Sequence, residues 1–218
     1  MIAYNLESIL KELPSGVKLV AVSKFHPFEA ILEAYQEGQR AFGESRPQEF
    51  ASKAVQLPFD IEWHFIGHLQ TNKLKLVLPY AALVESIDTV HLLDAVNTWG
   101  EKNSKVINVL LEVHIGAEET KQGFSPEEVK DVLAAAHEYP FVRFCGLMGM
   151  ASHTDDEEAI RADFSGIKEL FDDCRETFPA LNEFDQLSIG MSDDWRYAID
   201  YGCTEVRIGT AIFGSRQY

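Results

Sequence analysis

The sequence predicts a single-domain (β/α)8 barrel of the TIM type over residues 1–218, and three observations support this fold class. Short apolar runs recur along the chain, helix-like stretches separate them, and no linker-like or low-complexity segment interrupts the pattern. Strands that alternate with helices are typical of a parallel sheet with crossover helices, and eight such units fit a closed barrel. An open, flavodoxin-like sheet is the alternative that the pattern leaves.

Eight apolar runs are predicted to form the strands. Several are almost continuous in Val, Ile, Leu or Phe, which is typical of parallel strands that are covered on both faces. In chain order, the runs cover residues 17–23, 40–43, 61–66, 83–86, 106–113, 142–148, 186–189 and 205–208.

Helix start and stop signals lie between these runs. Pro27 precedes and Gly38 follows the segment 28–37, which is the usual placement of these two residue types around a helix. Ser125 is followed by a proline and two glutamates, so it predicts the N-cap of a helix that continues over 129–138.

Two more helices are predicted, over the acidic segment 155–178 and over 195–201. Ser192, with two aspartates after it, is the expected cap of the second, and Gly202 is its expected end. Helices in these places complete the alternation that a barrel requires.

Charge excludes several classes of partner. The chain has 19 Lys and Arg against 35 Asp and Glu, a net charge of -16, which repels nucleic acid and anionic lipid. Its apolar stretches are too short to cross a bilayer. Neither a nucleic acid nor a membrane is therefore expected as a partner, and a phosphorylated ligand must be held by local donors.

Cysteine usage and the N-terminus predict a cytoplasmic protein. Cys145, Cys174 and Cys203 are widely spaced and form no CxxC pair, so neither a disulfide framework nor a zinc site is expected. Residues 1–5 lack the basic start and long apolar core of a secretory signal. A compact single barrel predicts a monomer.

A phosphate site is predicted in the loops after the last two strands, where barrels commonly bind phosphate. Gly190 and Gly209 let the main chain approach an anion, and the amides of Ser192, Thr210 and Ala211 can donate to its oxygens. The alternative is that Ser192 is only an N-cap and that the glycines are turn residues.

A phosphate in these loops sets a condition on the acidic residues that follow. Asp193 and Asp194 come directly after Ser192, close to the expected dianion. Like charges repel, so we expect both carboxylates to point to solvent.

Lys24 and Arg207 are the candidate side chains for chemistry. Lys24 is one residue beyond a buried strand, where an amine can act as a nucleophile toward an aldehyde, although a solvated strand end is the plainer interpretation. Arg207 lies inside an apolar strand and needs a partner, either a carboxylate or a heteroaromatic nitrogen. An amine close to a phosphate cradle suggests pyridoxal phosphate (PLP).

Other chemistries lack support. His64 and His68 are four residues apart, but Gly67 between them makes a helical metal pair improbable, so no metal site is predicted. Ser188 and Ser192 are outside any GxSxG motif, so a hydrolase triad is not expected.

Several ordered motifs resemble the YggS/PROSC family of PLP-binding proteins, whose fold is the alanine-racemase N-terminal barrel. The resemblance covers nearly the whole chain. The motifs are AVSK ending at Lys24, FGE at 42–44, WHFIGHLQTNK at 63–73, GLM at 146–148, LSIGMSDD at 187–194 and VRIGTAIFG at 206–214.

The resemblance implies a set of cofactor-binding residues. Lys24 forms the internal aldimine, which is a Schiff base, and Arg207 faces the pyridine nitrogen. The phosphate is surrounded by Ser188, Met191, Ser192, Gly209 and Thr210.

Further residues near the cofactor follow from the same resemblance. Ser45, His64 and Ile66 complete the predicted cofactor-binding set, and Lys73 and Lys121 match lysines near the cofactor mouth. Two positions depart from the family, because Ser45 and His114 stand where asparagine is usual.

The resemblance implies a carrier without catalytic residues, which stores and delivers PLP in the cell and meets apo PLP-dependent enzymes transiently. The alternative is a PLP-dependent amino-acid racemase, which needs a base on each face of the substrate α-carbon. Barrel-type racemases supply the second base as a tyrosine from an added domain, whereas this chain stops at Tyr218, so we expect no robust racemase activity. A cofactor-free Schiff-base aldolase is a third possibility and predicts a colourless protein.

Overall fold

Eight parallel strands close into a barrel in the order β1 to β8, in a computed structural model that describes residues 1–115 and 122–215. The last strand pairs with the first, with Val20 opposite Arg207 and Lys18 opposite Glu205. The predicted fold class is confirmed. The open-sheet alternative is wrong, because an open sheet would leave these two edges unpaired.

Each strand differs from its predicted run by at most about one residue at either end, the usual uncertainty in strand boundaries. The strands are β1 Lys18–Val22, β2 Ala41–Glu44, β3 Glu62–Phe65, β4 Leu83–Ile87, β5 Ile107–Val113, β6 Val142–Gly149, β7 Gln186–Ser188 and β8 Glu205–Ile208.

Helices surround the barrel. They are α1 Ile2–Glu12, α2 Phe28–Gln36, α3 Pro47–Gln56, α4 Leu74–Val77, α5 Val90–Asn103, α6 Pro126–Ala134, α7 Glu157–Thr177, α8 Trp195–Asp200 and α9 Thr210–Phe213, with 3-10 turns at Thr71–Lys73 and Ala136–Glu138. Within the described ranges, none of these helices has the length and hydropathy that crossing a membrane requires.

Two predicted helix caps had different outcomes. Ser125 caps α6 through a capping box, because its hydroxyl accepts from the Glu128 amide while the Glu128 carboxylate accepts from the Ser125 amide. The prediction that Ser192 caps α8 is wrong. Asp194 occupies that position without a side-chain cap, and the Ser192 hydroxyl instead accepts from the Gly209 amide at 3.2 Å.

Side chains that point out of the barrel form the apolar core with the helices. Phe50 of α3 packs edge-on against Trp63 and Phe65 of β3, with ring centroids 5.9 and 5.6 Å apart. Burial of an aromatic side chain of this size stabilises the fold by about 1.5–3 kcal/mol. This packing fixes α3 against β3, and Lys53 on the same helix contacts Ser23, the residue before Lys24.

The inside of the barrel is unexpectedly polar. Side chains inside a TIM barrel are usually branched and apolar. Here, however, β3, β4, β7 and β8 contribute ionisable or hydroxyl side chains that are almost inaccessible to solvent. These residues are His64, Glu85, Ser188, Glu205 and Arg207.

Candidate functional site

A cavity of about 210 Å³ lies at the carboxyl ends of the strands, where barrel enzymes bind their ligands. It is smaller than the roughly 300–1,000 Å³ typical of drug-sized ligands, so it suits a small molecule. From the predicted set, its lining includes Lys24, Ile66, Met191, Ser192, Arg207, Gly209 and Thr210. The lining residues that the sequence analysis missed are Val22, His26, Met148, Met150 and Asp193.

Three predicted residues do not line this cavity. Ser188 and His64 are buried beneath it, inside the barrel, and Ser45 lies half-buried in the loop after β2. A Cβ on Gly67 would lie 2.6 Å from the Ser45 Cα, so the two loop backbones are in close contact. These residues can therefore act on the cavity through neighbours rather than by lining it.

Two lysines were predicted near the cofactor mouth, Lys73 and Lys121. Lys73 ends the 3-10 turn after β3, is half-buried and is not part of the cavity lining. Lys121 lies outside the described residues, as does Tyr218.

Lys24 reaches the cavity because it continues the inward-facing row of β1. Side chains alternate along a strand, so Val20, Val22 and Lys24 share one face. Gly43 of β2 lies opposite Val22. A Cβ on Gly43 would be 3.3 Å from Ile66 and 3.5 Å from Val22, so the absence of a side chain lets these two cavity-lining residues pack closely against β2.

Arg207 is both buried and part of the cavity lining. Its guanidinium donates to the Ser188 carbonyl at 2.8 Å, to the Ser188 hydroxyl, and to the Gly149 carbonyl at 2.8 Å, and it lies 3.7 Å from Glu85. A partner carboxylate is therefore present. A guanidinium has more N–H donors than these contacts use, so Arg207 can also donate to a ring nitrogen in the cavity.

A buried group of ionisable side chains supports Arg207 from below. Glu85 accepts from the Ser188 hydroxyl at 2.6 Å and lies 2.8 Å from His64 Nδ1, which is 3.7 Å from Glu205. Burial favours neutral histidine, but Glu205 and Glu85 outweigh it and raise the pKa of His64 to about 10. Burial likewise opposes ionisation of Glu205, but His64 lowers the pKa of Glu205 to about 2.

The same group has the composition of a metal site. Ligand atoms of His64, Glu85 and Glu205 lie within 4.8 Å of one another. However, a protonated His64 and the Arg207 guanidinium already lie next to these carboxyl groups, and burial together with Glu205 raises the pKa of Glu85. A cation would have to displace the two positive groups, so the geometry favours an ion-paired support over a metal site.

The Ser192 and Gly209 loops are joined to each other. The Gly209 amide donates to the Ser192 hydroxyl, and a Cβ at residue 209 would lie 3.0 Å from the Val22 carbonyl oxygen. The main chain can therefore approach the cavity closely at this point. The interpretation of Ser192 as only a helix cap is not supported.

The prediction that the carboxylates of Asp193 and Asp194 both point to solvent is wrong for Asp194. Asp193 is exposed but also lines the cavity, whereas Asp194 is buried and its carboxylate accepts from the main-chain amide of Met191. Because Asp194 is close in sequence to the predicted phosphate site, its carboxylate was expected to be repelled by the phosphate. The fold instead uses the Asp194 carboxylate as the acceptor that shapes the loop after β7.

Glu112 lines a second cavity of about 250 Å³ beside the first, and the two share Met150 and Met191. Burial and the nearby Asp88 raise the pKa of Glu112 to about 7, from 4.5 in the unfolded chain. The folded state therefore binds more protons between pH 4.5 and 7, and this group's contribution to stability falls as pH rises through that window.

Glu112→Gln is therefore expected to increase the free energy of unfolding by about 1–3 kcal/mol at pH 8 and to change it little at pH 4.5. Urea denaturation of both proteins at the two pH values measures the difference. Glu101→Gln, an exposed substitution on α5, is the control. An equal difference at both pH values would contradict the role assigned to the buried carboxylate.

A larger cleft of about 730 Å³ lies at the opposite end of the barrel, near the starts of β5 and β6. Its lining includes Val106, Val142 and Phe178 but no lysine. Size alone would favour this cleft, but the cavity at Lys24 combines an amine, a guanidinium and a glycine loop. We therefore assign the candidate site to the smaller cavity.

Charged residues inside apolar strands were the signal that could have revealed the buried support. Glu85, Glu112 and Glu205 each interrupt an apolar run, as Arg207 does. Charges rarely enter a core unpaired, so four such residues on three strands predict mutual pairing. Of these four residues, Arg207 was the one whose need for a buried partner was predicted from the sequence.

Comparisons with known proteins agree with this fold and site. Residues 1–217 match the family described as "Alanine racemase, N-terminal domain". The chain is 41% identical to the pyridoxal phosphate homeostasis protein of Aquifex aeolicus, over 92% of this chain and 88% of that protein. Its identity to the protein of the same name from Bos taurus is 38%, over 95% of this chain and 81% of that one.

Solved structures give the same result. PipY of Synechococcus elongatus with PLP bound has a TM-score of 0.89 and 32% identity, and covers 98% of this chain and 100% of its own. An alanine racemase of Clostridium difficile has a TM-score of 0.84 at 14% identity, over all of this chain and 57% of the racemase, which supports the fold alone. The chain belongs to the alanine racemase N-terminal domain family, in the group that contains the pyridoxal phosphate homeostasis proteins.

Proposed function

We propose that this protein binds PLP as a Schiff base on Lys24 and takes part in PLP homeostasis by storing and delivering the cofactor. The observation that carries the proposal is that Lys24, Arg207 and the Ser192 and Gly209 loops line one small cavity. The names of its relatives and the PLP bound to PipY support the same function. PLP supplies the aldehyde, the ring nitrogen and the phosphate that these three groups match.

Each group has a distinct role in this proposal. The Lys24 amine forms a C=N bond with the aldehyde carbon, and the carbonyl oxygen leaves as water. Arg207 donates to the ring nitrogen and keeps it unprotonated. Main-chain amides near Ser192, Gly209 and Thr210 bind the phosphate, with Met191 beside it.

The remaining predicted residues either support Arg207 and the loops or line the cavity next to the PLP ring. Ser188 holds Arg207 directly and His64 holds it through Glu85, while Ile66 lines the cavity. Ser45 supports the loop that contacts Gly67. We propose no catalytic residue and no metal ligand among them.

We propose storage and delivery rather than catalysis for two reasons. Arginine at the ring nitrogen weakens the electron sink on which transaminases and decarboxylases depend. A racemase also needs a second base, and within the described residues the cavity lining contains no tyrosine. Racemisation of alanine at ordinary enzymatic rates by the purified protein would favour the racemase instead.

The proposal extends to the domain organisation, oligomeric state, location and partners of the protein. We propose one PLP-binding domain over residues 1–218, a monomer in the cytoplasm, with apo PLP-dependent enzymes as transient partners. All three cysteines are buried free thiols, which suits a reducing compartment. The net charge of -16 disfavours nucleic acid and anionic membranes as partners.

Reductive trapping tests the covalent linkage. Borohydride treatment of the PLP-loaded protein, followed by digestion and mass spectrometry, is expected to place the pyridoxyl-phosphate mass on the peptide that contains Lys24. Label spread over exposed lysines such as Lys11 and Lys130, with none at Lys24, would contradict the proposal. Recovery of activity by an apo PLP-dependent enzyme mixed with the loaded protein tests delivery.

A further inference from the structure

A buried lysine lies directly behind Lys24. Lys53 of α3 is 3% exposed, and its ammonium group donates to Glu44 and Glu49 at 2.7 Å and to the Ser23 carbonyl at 2.8 Å. An ammonium group has three donors, and all are used. Lysine is rarely buried, because the charge loses its hydration and the long side chain loses rotamer freedom. The free-energy cost of burying Lys53 indicates that this residue does more than fill space in the core.

The contacts of Lys53 converge on the residues that flank Lys24. Ser23, which accepts from Lys53, comes immediately before Lys24 in the chain. Phe25 comes immediately after it, and the Phe25 amide donates to Glu49 at 2.7 Å, through the same carboxylate oxygen that Lys53 contacts. One ion pair thus holds the main chain on both sides of the amine.

The clamped segment has an unfavourable backbone conformation. Phe25 has φ +67°, in the left-handed region that a bulky residue rarely adopts. The Arg46 guanidinium stacks on its ring at 4.2 Å. A conformation of this kind costs about 1–3 kcal/mol and persists only where the surroundings impose it. The Glu49 and Lys53 contacts are such surroundings.

We propose that Lys53 is a positioning residue for Lys24, which fixes residues 23–25 so that the Lys24 amine enters the cavity in the orientation needed for attack on an aldehyde. This inference rests on the proposed function and assigns a role to a residue outside the cavity. Orientation matters because a misplacement of about 1 Å can slow a reaction roughly a hundredfold. A purely structural tie among β1, β2 and α3 is the competing interpretation.

The test uses the double variant Lys53→Met/Glu44→Gln, which removes the buried charge pair while keeping side-chain volume. Removing Lys53 alone would leave the Glu44 carboxylate buried without its counter-charge. We expect the rate of Schiff-base formation with PLP to fall about tenfold or more. Binding of pyridoxine 5′-phosphate, which has no aldehyde, is expected to stay within about twofold, because the cavity itself is intact.

Hydrogen exchange gives a readout that does not depend on PLP. The amides of residues 23–26 are expected to exchange faster in the double variant, and amides of β5 are expected to be unchanged. If the wild-type protein forms no Schiff base at Lys24, the proposed function is wrong, and exchange alone decides whether Lys53 orders this segment.

Lys105→Met is the matched control, since Lys105 is a half-buried lysine that also donates to main-chain carbonyls, those of Leu78 and Pro79, away from the cavity. It is expected to leave both the PLP rate and the exchange of residues 23–26 unchanged. Unchanged exchange and an unchanged PLP rate in the folded double variant would overturn the inference. Equal weakening of PLP and pyridoxine 5′-phosphate would also overturn it, because it indicates general damage to the site.

Discussion

Lys24→Ala is expected to abolish the yellow absorbance of the PLP-loaded protein and the borohydride-stable label. The physical reason is that the C=N linkage needs a primary amine at the cavity, and Lys24 is the lysine among the described lining residues. Arg207 and the Gly209 loop remain, so weak non-covalent binding of PLP is expected to persist. Absorbance spectra and equilibrium dialysis measure the two properties separately.

The control for this substitution is Lys130→Ala, which removes an exposed lysine of α6 paired with Asp173. It is expected to leave the spectrum unchanged, because surface amines form only weak and transient imines. Retention of the wild-type band by Lys24→Ala would show that another amine holds the cofactor, and the proposed function would lose its anchor.

His64→Leu is expected to have the largest effect on stability, a loss of about 3–5 kcal/mol near neutral pH. His64 lies 2.8 Å from Glu85 and 3.7 Å from Glu205, all inside the barrel. Removing its positive charge leaves the buried Glu205 carboxylate and the Glu85 carboxyl group with Arg207 as the cation that remains beside them. Urea denaturation measures the loss, and His137→Leu, at an exposed histidine of the turn after α6, is the control.

A second variant separates charge from packing. In His64→Leu/Glu205→Leu both members of the pair become apolar, so the double variant is expected to be more stable than His64→Leu alone. Additive losses from the two substitutions would show that packing, rather than the unpaired charge, dominates.

The pH dependence of this effect follows from two pKa shifts. The raised pKa of His64 means that its contribution is complete below pH 6.5 and is lost as pH rises through about 10. The lowered pKa of Glu205 means that its contribution is complete above pH 4.5 and is lost as pH falls through about 2. The difference between wild type and His64→Leu is therefore expected to be largest between pH 4.5 and 6.5.

Local patterns were enough to predict the strands and two elements of the site. The run that ends before Lys24 and the glycine loops after β7 and β8 are contiguous in sequence, and a closed barrel brings their ends together. Strand order and side-chain alternation, together with the family resemblance, therefore predict that one cavity is lined by Lys24, Arg207 and Gly209.

Two predictions about the loop after β7 failed for different reasons, one because of a long-range contact and one because of a local contact. Ser192 has the sequence features of a helix cap, yet its hydroxyl accepts from Gly209, which is distant in sequence. Asp194 was expected at the surface, but it is buried where it can accept from Met191. The barrel alone brings Gly209 to Ser192, so a local cap rule could not predict that contact. The Asp194 contact is local, but the prediction considered only repulsion between like charges.

The sequence by itself determined the barrel, its strand boundaries and the amine with its phosphate loops, because these depend on the periodicity of apolar residues and on short motifs. Only the tertiary structure decided how buried charges pair. Glu85 with Ser188 and His64, and Lys53 with Glu44 and the chain around Lys24, join residues from different strands and helices. The cost of a buried charge is offset only by partners at a specific distance and orientation, and that geometry exists only once the barrel has closed.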